Sequence, residues 1–191
     1  MIAVILTPGR GKRLHPYTKY IPKCLLNIGG ETILEHQINH LRDCDIDKVV
    51  IVVGFGFEKV ENFLKNYDGL RMKIKTVYNP FYQTTNSLIS LWTARREMDD
   101  DTVVINGDDV FEIEVLERAL RMRDEEICLP IKRKASYEYE DMKVVIKETK
   151  IVDISKTLTN RASAKSVGVR VFRGAGVDIM KRAIEEEMRT V

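Results

Sequence analysis

The 191-residue sequence is poor in the features that mark several common protein classes. Its three cysteines are widely spaced and odd in number, which argues against a disulfide framework or a paired zinc motif. Lys and Arg exceed Asp and Glu by only two residues, so a surface built for nucleic acid is not expected. No apolar run reaches membrane-spanning length, and the apolar start is too short for a secretory signal. These absences predict a cytoplasmic protein that has reduced thiols, no membrane span and no nucleic-acid partner.

A glycine- and cation-rich segment follows the first apolar run. Residues 1–6 are apolar, and residues 7–13 read Thr-Pro-Gly-Arg-Gly-Lys-Arg. A glycine loop at the carboxyl end of a strand lies where open α/β sheets bind ligands. Glycines bring backbone N–H groups close to phosphate oxygens, and the cations attract a polyanion. The segment predicts a triphosphate-binding loop, with an ordinary strand–helix turn carrying solvated basic residues as the alternative.

Two familiar glycine motifs do not fit this loop. A Walker loop has a glycine five residues before its Gly-Lys pair and Ser or Thr after it, but Leu6 and Arg13 stand at those positions. The dinucleotide-binding fingerprint fails because Leu14 replaces its third glycine. These two classes of glycine loop are therefore excluded.

The segment resembles the signature of the sugar-nucleotidyltransferase superfamily, L-x-x-G-x-G-x-R-L-x-P-x-T followed by P-K-x-L-L. The matching positions are Gly9, Gly11, Arg13, Leu14, Pro16, Thr18, Pro22, Lys23, Leu25 and Leu26. One departure is Thr7-Pro8, where the family usually has small residues, and Pro8 lacks a backbone donor. The resemblance implies attack by a phosphate monoester on the α-phosphorus of a nucleoside triphosphate, with release of pyrophosphate. Such chemistry depends on positioning and charge neutralisation.

The same resemblance implies roles for individual residues. Those expected to bind the nucleotide are Leu6, Thr7, Gly9, Arg10, Gly11, Lys12 and Asn86. Arg13 and Lys23 are expected to be catalytic: Arg13 neutralises the β- and γ-phosphates, and Lys23 stabilises charge growing at the α-phosphate. Lys143 stands where relatives often carry a lysine that binds the phosphate of the acceptor, although a solvated strand lysine explains it equally well.

A run of acidic residues follows a later apolar segment, 102–105, and reads Asn106-Gly107-Asp108-Asp109. A carboxylate at a strand end can hold Mg²⁺ together with phosphate oxygens and water. The family has a Gly-Asp pair there, and the match places the metal aspartate at Asp108, with Asp109 as a possible substitute. Without the resemblance, an ordinary Asp-rich turn explains the run at least as well as a metal site does. Mg²⁺ is the expected cofactor.

Residues 79–92 indicate which subfamily the sequence resembles. The run T-N-S-L, 85–88, followed by S-L-W, 90–92, is similar to a T-N-N-x-x-S-L-W segment of small cytidylyltransferases acting on phosphocholine or inositol 1-phosphate. A capped core helix would give the same pattern. The expected partners are a nucleoside triphosphate, CTP by resemblance, and a small phosphorylated acceptor. Choline would need an aromatic cage. Trp92, the only tryptophan, falls in a core-facing helix, which leaves Tyr137 and Tyr139 as the main candidates, and these two also fit ordinary loop residues. Inositol 1-phosphate or another sugar phosphate is therefore favoured as the acceptor.

Strand-like and helix-like patterns alternate along the chain. The predicted strands are 1–6, 48–53, 73–78, 102–105, 127–131, 142–146, 151–154 and 167–172. The predicted helices are 33–43, 57–66, 86–98, 114–123 and one from about residue 177. This alternation is typical of a wound α/β domain. The resemblance implies a Rossmann-like, three-layer fold with a mostly parallel sheet, of the nucleotide-diphospho-sugar transferase type, in a single domain.

The resemblance also sets an expectation for the carboxyl end. Relatives continue with a segment resembling W-x-x-I-D-T-x-E-D that supplies a second acidic metal ligand, whereas this sequence ends at Arg189-Thr190-Val191. A nucleotidyltransferase domain over 1–191, shortened at its carboxyl end, is expected. The alternative to an Mg²⁺-dependent enzyme is a non-catalytic nucleotide-binding or regulatory homologue. The sequence is compatible with a homo-oligomer.

Overall fold

A computed structural model describes residues 1–67, 72–84, 87–158 and 161–190 of the chain. The helices of these residues are α1 Ile33–Asp43, α2 Phe57–Lys65, α3 Ser87–Thr93, α4 Ile113–Arg121 and α5 Ala175–Met188. The strands are β1 Ile2–Thr7, β2 Asn27–Ile28, β3 Glu31–Thr32, β4 Lys48–Val53, β5 Lys73–Tyr78, β6 Thr102–Asn106, β7 Ile127–Cys128, β8 Ile131–Lys132, β9 Lys143–Lys147, β10 Lys150–Ser155, β11 Ala164–Ser166 and β12 Val169–Phe172. Within these described ranges, every helix is too short or too polar to cross a membrane.

The main sheet has six strands in the order β5-β4-β1-β6-β12-β7. Neighbours among the first four strands are parallel, and β12 runs antiparallel to β6 and β7. Every residue of β1 is buried, and β4 is buried from Val49 to Val53. A strand with continuous apolar residues needs cover on both faces of its sheet.

Helices provide that cover. On one face Ile5 of β1 shares a core with side chains of α1, α2 and α4. On the other face Val4 shares a core with side chains of α3 and α5. Because successive strand residues point to opposite faces, β1 contributes to both cores. The predicted three-layer α/β fold with a mostly parallel sheet is confirmed.

Helix α1 begins as its sequence predicts. Thr32 Oγ1 accepts a hydrogen bond from the Glu35 backbone N–H at 3.1 Å, and Glu35 Oε2 accepts one from the Thr32 N–H at 3.3 Å. This capping box satisfies two donors at the start of the helix. Leu34, Ile38 and Leu41 are fully buried against the sheet. The register of α1 is therefore fixed from its first turn.

Two predicted elements differ from the structure, and one short strand is absent from the predictions. Residues 127–131 form two short strands, β7 and β8, in different sheets, because Pro130 cannot donate to a ladder. The helix predicted over 86–98 is α3 followed by a 3₁₀ turn at Arg95–Glu97, and residue 86 lies outside the described residues. Strand β11 has only three residues, too few for a periodic pattern to reveal it.

A second, antiparallel sheet has the order β10-β9-β11-β8. Asp141, in the loop before β9, connects this loop to β11. Its carboxylate accepts hydrogen bonds from Lys165 Nζ at 2.6 Å, Glu138 N at 3.0 Å and Lys134 Nζ at 3.4 Å. Burial by itself would raise the pKa of Asp141, but the hydrogen bond from Lys165 and those from Glu138 and Lys134 lower it to about 2.

Replacing Asp141 with Asn is expected to lower the free energy of unfolding at pH 7 by about 2 kcal/mol, because charge-assisted hydrogen bonds are lost. A carboxylate whose folded pKa is about 2, below its usual 3.8, stabilises fully above pH 4 and progressively less as the pH falls towards 2. Urea unfolding should therefore show a smaller difference between the two proteins at pH 3 than at pH 7. Asp153→Asn, which breaks only the exposed 3.6 Å ion pair with Arg161, is the control.

Candidate active site

The carboxyl ends of three parallel strands meet at one edge of the main sheet. The backbone N–H of Gly107, which follows β6, donates to the carbonyl of Leu6 in β1 at 2.8 Å. The N–H of Phe55, which follows β4, donates to the carbonyl of Pro8 at 3.0 Å. The loops after β1, β4 and β6 are thus held side by side, at the edge where wound α/β sheets bind ligands.

Lys23 and Asp108 meet at this edge. Lys23 opens a 3₁₀ turn, Lys23–Leu25, directly after Pro22, and Asp108 lies in the turn after β6. Lys23 Nζ lies 2.8 Å from Asp108 Oδ2, with 29% of the lysine side chain and 48% of the aspartate side chain exposed. The structure therefore brings together two predicted site residues that are 85 positions apart in sequence.

The two glycines of the loop differ in what the fold requires of them. Gly11 has a φ of +59°, and a Cβ there would lie 3.2 Å from Thr18 Cγ2 and 3.3 Å from Lys23 Cβ. Thr18 Oγ1 also donates to the Gly11 carbonyl at 2.6 Å. Gly9, by contrast, has an ordinary φ, and a Cβ added to it would meet no atom of the described residues within 4 Å. The backbone therefore favours glycine at position 11, whereas position 9 leaves open space beside the loop.

The cations of the loop point in different directions. The guanidinium of Arg10 lies 5.2 Å from the ring centre of Phe55. Arg13 Nη1 forms a 3.1 Å ion pair with Glu140 Oε2, an atom that Lys156 Nζ also contacts at 2.8 Å. Arg13 is 76% exposed, and Lys12 is exposed as well. The Arg13–Glu140 pair links the glycine loop to the loop that enters the second sheet.

Leu6 and Thr7 are both buried. Leu6 packs its side chain in the core of the main sheet, and Thr7 Oγ1 donates to Cys24 Sγ at 3.1 Å. Burial raises the pKa of the Cys24 thiol to about 11, so it stays protonated at neutral pH. The expectation of reduced cysteines agrees with the structure, in which all three are free. Asn86, also predicted to bind the nucleotide, lies outside the described residues.

Lys143 lies in β9 and is not the solvated strand lysine that was one of the two expectations for it. It is 4% exposed, and its ammonium donates to the carbonyls of Lys156 at 2.8 Å, Tyr139 at 3.3 Å and Asp141 at 3.4 Å. An ammonium has three N–H donors, and these three carbonyls use them all. Lys143 therefore holds loops of the second sheet together in this conformation, and its acceptor-binding role stays a prediction without support from this geometry.

Asp109 lies beside Asp108 but points into a different environment. Its Oδ2 accepts a 2.8 Å hydrogen bond from Asn106 Nδ2, and Asn106 Oδ1 accepts one from Arg170 at 3.2 Å. Burial, and next the charge of Asp108, raise the pKa of Asp109. Gly168 packs against the same carboxylate: a Cβ on Gly168 would lie 1.6 Å from Asp109 Oδ2. Asp109 thus supports the turn, while Asp108 faces Lys23.

Replacing Gly168 with Ala is expected to destabilise the protein by roughly 2–4 kcal/mol, because alanine is strained at φ +83° and its Cβ must displace Asp109. Urea unfolding would measure the loss. Gly29→Ala is the control, since Gly29 has a φ of +68° but no described atom within 4 Å of an added Cβ. Equal losses in the two variants would show that the contact with Asp109 contributes nothing.

Sequence comparison relates the chain to known proteins over most of its length. Residues 3–167 match the MobA-like NTP transferase domain family. Over 116 residues the chain is 41% identical to the CMP-5'-(3-aminopropyl)phosphonate synthase of Streptomyces rubellomurinus, covering 61% of this chain and 18% of that protein. Over 190 residues it is 30% identical to the bifunctional IPC transferase and DIPP synthase of Aquifex aeolicus, covering 98% of this chain and 42% of that protein. The chain spans less than half the length of either relative.

The fold has a close counterpart among solved structures. The inositol-1-phosphate CTP transferase from T. maritima matches it with a TM-score of 0.79, covering 93% of this chain and 72% of that one. The two sequences are 23% identical. This likeness shows that the two proteins share a fold.

Proposed function

This chain belongs to the MobA-like NTP transferase family, and from that premise we propose that it transfers CMP from CTP to a small phosphate-bearing acceptor and releases pyrophosphate. The observation that carries the proposal is the 2.8 Å approach of Lys23 and Asp108 beside the glycine loop. A fixed cation and a fixed carboxylate at one edge of the sheet suit a reaction that moves negative charge between phosphate groups.

The proposed roles of the loop residues come from the family resemblance, and parts of the geometry support them. The open space beside Gly9 allows backbone N–H groups to approach phosphate oxygens closely. Arg13 neutralises the β- and γ-phosphates and exchanges its bond with the exposed Glu140 for one with the nucleotide. Lys23 stabilises the charge that grows around the α-phosphate as the acceptor oxygen attacks in line. None of these roles requires a covalent intermediate with the protein.

The residues present fit a magnesium ion shared with the substrate better than one caged by protein. In the described part of the chain, no three His, Cys, Asp or Glu side chains cluster as a metal site. Mg²⁺ in phosphate-transferring sites is commonly held by one or two carboxylates, and the remaining ligands are phosphate oxygens and water. Asp108, half-exposed at the strand end, is the residue that would hold it. When bound, the ion neutralises phosphate charge.

The base and the acceptor are supported by the names of similar proteins. Cytidine appears in the names of the Streptomyces relative and of the structure from T. maritima. Those names also carry two kinds of acceptor, a phosphonate and inositol 1-phosphate. The acceptor class we propose is therefore a small phosphate monoester or free phosphonate, with inositol 1-phosphate, other sugar phosphates and phosphocholine as the first candidates.

Pyrophosphate release tests the proposal. Each of the four nucleoside triphosphates would be paired with inositol 1-phosphate, hexose 1-phosphates, phosphocholine and an aminoalkylphosphonate, with and without Mg²⁺. Turnover that requires CTP, one acceptor and Mg²⁺ is the expected result. Turnover with another nucleotide would overturn the choice of base. Nucleotide binding without turnover on any acceptor would favour the regulatory homologue instead.

A further inference from the structure

Gln37 is a polar residue in the middle of the apolar face of α1. It is fully buried, as are Leu34, Ile38 and Leu41 of the same face. A buried amide without partners is destabilising, so a glutamine at this position needs hydrogen bonds that justify it. Neither the glycine loop nor the ion pair of Lys23 with Asp108 involves it directly, and none of the roles proposed above uses it.

The amide of Gln37 binds the turn that carries Asp108. Its Nε2 donates to the carbonyl of Asn106 at 3.0 Å and to the carbonyl of Asp109 at 2.7 Å. These two carbonyls flank Gly107 and Asp108, so the two N–H groups of one side chain bracket the aspartate. The neighbouring His36 contacts the same loop, with Nε2 3.1 Å from the Phe111 carbonyl. Helix α1 thus contacts three carbonyls of the segment 106–111.

The orientation of the Gln37 amide follows from its partners. Both partner atoms are carbonyl oxygens, which only accept hydrogen bonds, so the NH₂ group must face them. The Oε1 atom is buried and has no partner among the described residues. The unpaired Oε1 is destabilising, whereas the two N–H groups of Nε2 hold the turn.

We propose that Gln37, assisted by His36, is a positioning residue that holds the carboxylate of Asp108 in place for the reaction. It touches neither substrate nor metal and acts through the backbone of the turn. The inference rests on the proposed function, because it assigns Gln37 to the same site. It adds a residue from the buried face of a helix to a site otherwise built from loops at strand ends.

The test compares Gln37→Met with Ile38→Val. Methionine keeps the length of the side chain but has no donor, whereas Ile38→Val trims the next buried residue of α1 without touching the turn. Gln37→Met is expected to lower kcat by about 10–100-fold and to raise the Mg²⁺ concentration needed for half-maximal rate, as losses of supporting hydrogen bonds at metal sites do. The KM for CTP should change less than threefold, because the glycine loop is intact. Ile38→Val should leave all three quantities within twofold of the parent protein.

A second measurement does not depend on activity. Hydrogen–deuterium exchange of the peptide covering 106–111 should become faster in Gln37→Met and stay unchanged in Ile38→Val. His36→Ala, which changes a partly exposed residue and leaves Gln37 in place, should show a smaller effect in the same direction. This variant keeps the inference testable if Gln37→Met does not fold.

The outcomes separate the inference from the proposed function. If the parent protein shows no turnover on the acceptor panel, the proposed function fails, and the exchange experiment still tests whether Gln37 holds the turn. If the parent turns over and Gln37→Met matches it in kcat and Mg²⁺ dependence, the inference is wrong. A Gln37→Met variant that is less active but has unchanged Mg²⁺ dependence and unchanged exchange at 106–111 would also overturn it.

Discussion

Replacing Lys23 with Met is expected to reduce kcat by about 10²–10³-fold, comparable to the loss of one preorganised donor to a developing oxyanion. The ammonium lies 2.8 Å from Asp108 beside the glycine loop, where the proposed reaction builds charge on the α-phosphate. Methionine keeps the aliphatic stem that packs near Gly11, so the loop should retain its shape. Steady-state pyrophosphate release, with the KM for CTP determined in parallel, measures the effect.

The fold should tolerate this change, because an ion pair with both partners partly exposed contributes about 0–1 kcal/mol. Lys48→Met is the matched control: Lys48 is exposed at the start of β4, on the opposite edge of the sheet from the site. The control should turn over like the parent protein. Unchanged kcat in Lys23→Met, with a folded protein by circular dichroism, would remove Lys23 from the catalytic assignment.

Replacing Asp108 with Asn is the second change with a large expected effect. The amide keeps the size of the side chain but removes the negative charge proposed to hold Mg²⁺. The rate should fall by about 10²–10³-fold, because a bound metal supplies several kcal/mol of charge stabilisation and each 1.4 kcal/mol corresponds to a factor of ten. The Mg²⁺ concentration for half-maximal rate should rise. Titrations of pyrophosphate release against Mg²⁺ at saturating CTP measure both quantities.

Asp99→Asn serves as the control for charge alone. Asp99 is exposed and precedes β6, so it lies at the opposite end of that strand from Asp108. Both variants change the net charge by one, and long-range electrostatics should therefore affect them similarly. Equal activities in the two variants would show that Asp108 holds no metal in the reaction.

Much of the architecture could be predicted from local patterns. The strands 48–53 and 73–78 have the predicted bounds, since continuous or β-branched runs with polar flanks mark their ends. The family resemblance read from the glycine segment is confirmed by the match over residues 3–167. Asp108 could be expected at the same edge of the sheet as the glycine loop, because parallel strands place their carboxyl ends at one edge, whereas its 2.8 Å contact with Lys23 came from the structure.

The residues that support the site were harder to predict. Gly168 contacts Asp109 across 59 positions of sequence, and no local pattern encodes that distance. Lys143 was expected from the resemblance to bind the acceptor or to be solvated, and neither expectation could reveal the three backbone carbonyls that its ammonium contacts. Gln37 did leave a signal, since it interrupts an otherwise apolar helix face, and a search for buried polar positions would have identified it.

The antiparallel insertion of β12 beside β6 has a consequence for how the protein folds. Arg170 and Gly168, which complete the surroundings of Asp109, belong to the last part of the main sheet to leave the ribosome, whereas the glycine loop is among the first. Contacts between residues so far apart in sequence form late and slow the search for the native state. A nascent chain that stops before β12 lacks this support, so in the proposed reaction Mg²⁺-dependent turnover, rather than nucleotide binding at the glycine loop, would report completion of the sheet.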